Sequence, residues 1–87
     1  MLHARKDYDR IQDPENKIPN DEPVFLLRGQ DILAPELLEI WANALLRNHG
    51  DPKMAEMVFQ HAEKMKLWQA RHTVKLPDLP KSDSVTF

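Results

Sequence analysis

The feature that most constrains this chain is one short punctuation, His49-Gly50-Asp51-Pro52, set between two segments whose apolar residues recur at helical spacing. Gly50 is the residue type that closes a helix in the left-handed conformation, and Asp51 before Pro52 is an N-cap before a first helical position. A connection this short makes the two helices antiparallel neighbours. Upstream, Pro35 marks a helix start with Asp31 before it. Leu37, Leu38, Trp41, Ala42, Leu45 and Leu46 then recur at spacings of one, three and four, while Glu36, Glu39, Asn43 and Arg47 take the other face. Downstream, a second helix is expected from Pro52 to about His72, with Met54, Ala55, Val58, Phe59, His61, Ala62, Met65 and Trp68 on one broad face. The longer second helix should overhang the first. Trp41 and Phe59, each in the middle of its stripe, are expected in the core between them.

Outside the hairpin the signals are weaker. Val24 to Leu27 form an unbroken apolar run between Pro23 and Gly29, which suits a strand or a short helix by pattern, and the extended reading is preferred. A lone strand must find a partner for its backbone groups, and a second subunit is one source of it. Residues 1–17 are charged and carry few large apolar groups, so they are expected to form an N-terminal arm. Residues 18–75 are expected to hold the hairpin domain. The segment from Leu76 contains Pro77 and Pro80 and lacks helical periodicity, which predicts a flexible C-terminal tail over 76–87. The fold class is mainly α: an antiparallel helical hairpin preceded by a short strand-like segment and flanked by flexible arms.

Eighty-seven residues leave room for one small domain. With 41% hydrophobic and 30% charged residues the composition is that of a soluble globular chain. No apolar run approaches the roughly 20 residues that span a bilayer. The absence of Cys excludes disulfides, thiolate metal sites and a cysteine nucleophile, and no apolar stretch of a signal peptide follows Met1, so a cytoplasmic location is expected. Twelve basic against fourteen acidic side chains argue against an affinity built on neutralising many phosphates. The second helix opens with Pro52, Lys53, Met54, Ala55 and Glu56, which also lacks the base-reading residues of a DNA-recognition helix.

Chemistry-bearing motifs are few. His3, His49, His61 and His72 contain no pair three or four residues apart, and no P-loop, nucleophile elbow or glycine-rich nucleotide fingerprint is present. No enzymatic activity, metal or cofactor is therefore expected. Two clusters have a possible role in binding an anion. Arg28 and Gln30 precede a helix N-terminus, where backbone N–H groups favour negative charge, although an Arg and an Asp three apart, as Arg28 and Asp31 are, often simply pair with each other and cap. Lys64, Arg71 and Lys75 lie in a stretch without acidic residues, with Trp68 among them as a platform for a base or as a core residue. The candidate ligand-binding set is thus Arg28, Gln30, Lys64, Arg71 and Lys75. A core of this size barely offsets chain entropy, so either self-association or an arm folded over the hairpin is expected to complete it.

The stretch from Ile18 to Trp41, IPNDEPVFLLRGQDILAPELLEIW, with HAEKMKLWQ at 61 to 69, resembles small proteins encoded by phages and prophages. The resemblance covers about residues 18 to 80. It implies a short leader, an apolar strand and a helical hairpin, and an accessory role in countering host defence. Proteins of this build inhibit or adapt a host protein through protein contacts, or assemble as oligomers that sequester a small anionic nucleotide signal. The resemblance carries no catalytic or binding residue.

Overall fold

The computed structural model describes residues 1–5, 7 and 11–79, and the notable elements are two short strands and two helices. They are β1 (Leu2–His3), β2 (Pro23–Val24), α1 (Ala34–Arg47) and α2 (Pro52–Gln69). The described residues divide into two compact units, one from Met1 to Leu27 with Leu79, the other Arg28–Asp78. Residues 80–87 of the expected tail, and Lys6, Tyr8, Asp9 and Arg10 of the expected arm, lie outside the described residues.

In the first unit β1 and β2 pair in parallel, with Leu2 opposite Pro23 and His3 opposite Val24. The extended reading of the apolar run therefore holds only at its start, and β2 finds its partner in the chain's own first residues rather than in a second subunit. Leu2 N–H donates to the Glu22 carbonyl at 2.7 Å and Ala4 N–H to the Val24 carbonyl at 3.3 Å, while the Met1 ammonium donates to the Pro19 carbonyl. The intervening chain turns on Asp13, whose carboxylate accepts from the Lys17 and Ile18 N–H groups, both at 2.9 Å. Asn16 takes the left-handed conformation there (φ 52°), a geometry Asn tolerates better than most residues.

The second unit is the hairpin. α1 and α2 have 14 and 18 residues, or about 21 and 27 Å of axis. Asp51 caps α2 as its sequence predicts, its carboxylate accepting from Lys53 N–H at 2.9 Å with Pro52 in the first turn. The end of α1 differs from expectation. Gly50 N–H donates to the Leu45 carbonyl at 2.8 Å and His49 N–H to the Leu46 carbonyl at 3.1 Å, the two bonds of a Schellman cap, but it is His49 that adopts the left-handed conformation (φ 60°). Gly50 is required for another reason: a Cβ there would lie 2.6 Å from Leu45 Cγ and 3.0 Å from the Leu45 carbonyl oxygen. Because a non-glycine residue bears the left-handed strain, His49→Gly is expected to raise stability by up to about 1 kcal/mol. Thermal melting checks this, and a lowered melting temperature would show that the imidazole contributes more than its backbone costs.

α2 ends at Gln69, short of His72. The last turn tightens as Arg71 N–H donates to the Trp68 carbonyl, and the Nδ1 of His72 lies 2.7 Å from that same carbonyl. The chain then runs beside the segment before α1: Lys75 N–H donates to the Gln30 carbonyl and Ile32 N–H to the Lys75 carbonyl, a single parallel bridge. This segment also occupies the overhang of α2, because the Gln69 side-chain amide donates to the carbonyls of Gly29 and Asp31, each at 2.9 Å.

Between the helices the seam is made of alanine. Ala34, Ala42, Ala55 and Ala62 are 0–1% exposed, and Pro35 is the other residue of the two helices to be buried. Such side chains let helix axes approach to the short end of the usual range, about 8 Å. The expected core therefore needs correction: Trp41 is 46% exposed and Phe59 only half-buried. Close approach at Ala42 moves its large neighbours to the flanks. Among the described residues no side chain larger than these is fully buried.

Candidate functional site

The flanks of the seam have opposite character. With Ala42 and Ala62 pointing inward, 100° per residue places Glu36, Glu39 and Asn43 to one side of α1, and Glu56, Gln60 and Glu63 to the corresponding side of α2. These sides share one face of the hairpin, because Lys66 bridges Glu39 of α1 and Glu63 of α2, the latter at 3.1 Å. Leu46 and Leu67 are its exposed apolar exceptions. The remaining sides must then share the opposite face. It carries Leu37 and Trp41 from α1 and Met54, Met57 and Trp68 from α2, all 41–56% exposed, while the exposed Ile40 stands at the outer edge of α1 beside Asn43. His61 and, at its outer edge, Lys64 are its titratable residues within the helices.

The five side chains define an exposed apolar surface. At roughly 200 Å² each when free, their exposure amounts to about 460 Å², within the range of the largest patches that monomeric proteins leave uncovered.

The charged face contributes through its ion pairs. The hydrogen bond from Lys66 to Glu39, and next that to Glu63, hold the ammonium above its ordinary value of 10.5. A raised pKa means that the pair's contribution is fully present below 10.5 and is lost as pH rises through the raised value. Melting temperature is therefore expected to fall more steeply above about pH 10.5 in the parent than in Lys66→Met. Parallel alkaline slopes would show that the bridge adds nothing to stability.

The residues expected to bind an anion are placed as follows. Arg28 is exposed at the start of the hairpin unit and already engaged. Gln30 and Lys75 are brought together by the parallel bridge, but the Lys75 ammonium is paired with Asp78 at 2.8 Å. Lys64 stands on the outer surface of α2, and Arg71 follows its end, both exposed. The Asp31 carboxylate accepts from Leu33 N–H at 2.8 Å, capping the turn that leads into α1. Trp68 has neighbours of its own: His72 stacks on it with ring centroids 4.0 Å apart at 8°, and a Cβ at Gly29 would lie 3.7 Å from the indole.

Other site types find little support among the described residues. No group of three His, Asp or Glu side chains is placed to hold a metal. A cavity beside β1 and β2, lined by His3, Arg5, Val24 and Phe25 among others, is no larger than a water molecule. No helix is long and apolar enough to cross a membrane.

The apolar face was legible only in part. Leu37, Trp41, Met54 and Trp68 stand in the two predicted stripes and Met57 does not, and placing Trp41 in the core hid the fact that the face is displayed. The signal that distinguishes the two outcomes is the alanines at 42, 55 and 62, which sit at the centre of the stripes. No protein-family profile, no curated protein and no solved structure matches the chain.

Proposed function

We propose that the chain is a non-enzymatic binding protein that acts through protein contacts, in the manner of small phage-type accessory proteins that inhibit or adapt a host protein in the host cytoplasm. The observation that carries this reading is the apolar face of the hairpin, five large side chains displayed beside a seam of alanines. A surface of this kind, apolar at its centre with charge at its edge, is what protein association uses, whereas small-ligand capture uses a concave pocket. The resemblance of residues 18–80 to phage-encoded proteins supplies the host-directed role.

A second reading, sequestration of a small anionic nucleotide signal, draws on the bridge that brings Gln30 and Lys75 together near Arg28. One experiment separates the two. Thermal melting with cyclic and linear nucleotides is expected to be flat, while a nucleotide at 100 times its dissociation constant would add about 2.7 kcal/mol to the folded state. A clear upward shift would favour the second reading and overturn the first as the protein's main activity.

A further inference from the structure

We infer that Met54 and Met57 form an oxidation site on the apolar face, where a peroxide converts their thioethers to sulfoxides and so turns off protein contact. This rests on the reading of that face as a protein-contact surface and adds its regulation. Sulfur occurs in this chain only in four methionines, because Cys is absent. A peroxide therefore meets no thiolate, the group that would otherwise react first.

The fold sorts the methionines by access. Met54 and Met57 are 42% and 56% exposed, whereas Met65 and Met1 are half-buried. Met65 lies on the same side of α2 at about 60° from the inward direction of Ala62, against about 80° for Met54 and about 140° for Met57. Met54 and Met57 stand three residues apart in the part of α2 nearest the connection, so both thioethers belong to one stretch of the displayed surface.

The chemistry is an oxygen transfer. The thioether sulfur attacks one oxygen of hydrogen peroxide, and an S–O bond forms as the O–O bond breaks. The proton of the transferred hydroxyl passes to the departing hydroxide, which leaves as water. Sulfur loses two electrons and the peroxide gains them. The product is polar and chiral, and its oxygen needs hydrogen bonds that an apolar partner surface does not offer. Two of the five large side chains of the face change in this way, among them Met57, the most exposed of the five.

Hydrogen peroxide on the folded full chain tests this, with peptide mass spectrometry reading the added oxygen at each methionine. Met54 and Met57 should oxidise several times faster than Met65, and the three rates should converge in denaturant. The oxidised chain should keep its helix content by circular dichroism, since both side chains are exposed, and should elute earlier from a phenyl resin, a probe of apolar surface that needs no partner. Contact is read from adducts of benzoylphenylalanine at position 41 in one cell extract, with oxidised and unoxidised chain side by side after the peroxide is removed. Adducts should fall severalfold on oxidation and return when methionine sulfoxide reductases, with a thiol as reductant, remove the oxygen. Equal rates at the three methionines of the folded chain overturn the inference. So do unchanged retention on the phenyl resin, loss of helix on oxidation, and adducts that persist when Met54 and Met57 are fully oxidised. Each of these results leaves the contact reading in place, whereas an absence of adducts from the unoxidised chain removes the contact reading and the switch together.

Discussion

Ala62→Leu is expected to destabilise the chain by about 1–3 kcal/mol, enough to lower the melting temperature of a domain this size by roughly 4–20 °C. Ala62 is fully buried and faces the other helix, so three extra carbon atoms have no space unless the axes move apart. Moving them apart would disturb Ala42 and Ala55 together, and with them the Glu39–Lys66 bridge. Ala42→Leu should behave alike. Leu is a helix former as good as most, so propensity does not account for the loss. Ala70→Leu, at an exposed position just past α2, is the control and should stay within about 0.5 kcal/mol. Equal melting temperatures for Ala62→Leu and Ala70→Leu would mean that the alanines are not the contact surface of the helices.

Gly50→Ala is expected to cost about 1–3 kcal/mol through a collision rather than through backbone conformation. Gly50 does not have a positive φ, so an L residue could adopt its conformation, but the added Cβ would meet the Leu45 side chain and carbonyl. The two causes can be separated by a double-mutant cycle. In a Leu45→Ala background most of the side-chain collision is absent, and the cost of Gly50→Ala should fall to well below its value in the parent. An unchanged cost would assign the effect to the backbone at Gly50, and so would contradict the local geometry proposed for the cap.

The hairpin was legible because its signals are local. Asp51 and Pro52 act within one turn of helix, and the connection is too short for any arrangement but antiparallel neighbours. The left-handed residue was misassigned because glycine satisfies two different requirements, a positive φ and a close approach, and residue type does not separate them. His49 took the first and Gly50 the second. The core was misassigned for a related reason. An apolar stripe that includes both Trp41 and Ala42 is consistent with either at its centre, since they differ by only 100° around the helix. Packing decides between them, because the axial separation that suits Ala42, Ala55 and Ala62 leaves no room for an indole.

Long-range partners were the least legible. Nothing in Leu2 and His3 marks them as the partners of Pro23 and Val24, and a two-residue strand carries no periodicity. Likewise Gln69 reads as an ordinary helix residue until the loop at Gly29–Asp31 is seen to offer it two carbonyls. Of the anticipated anion-binding residues, Gln30 and Lys75 meet through backbone hydrogen bonds, a relation that side-chain charge does not announce.

The central claim is that the face bearing Trp41 and Met57 contacts protein while the charged face does not. Photocrosslinking tests it most directly, with benzoylphenylalanine placed at Trp41 or at Asn43, two exposed positions of α1 about 160° apart around the helix. Protein adducts are predicted from position 41, with little or none from position 43. No adduct from position 41, or equal yields from both positions, would contradict the account.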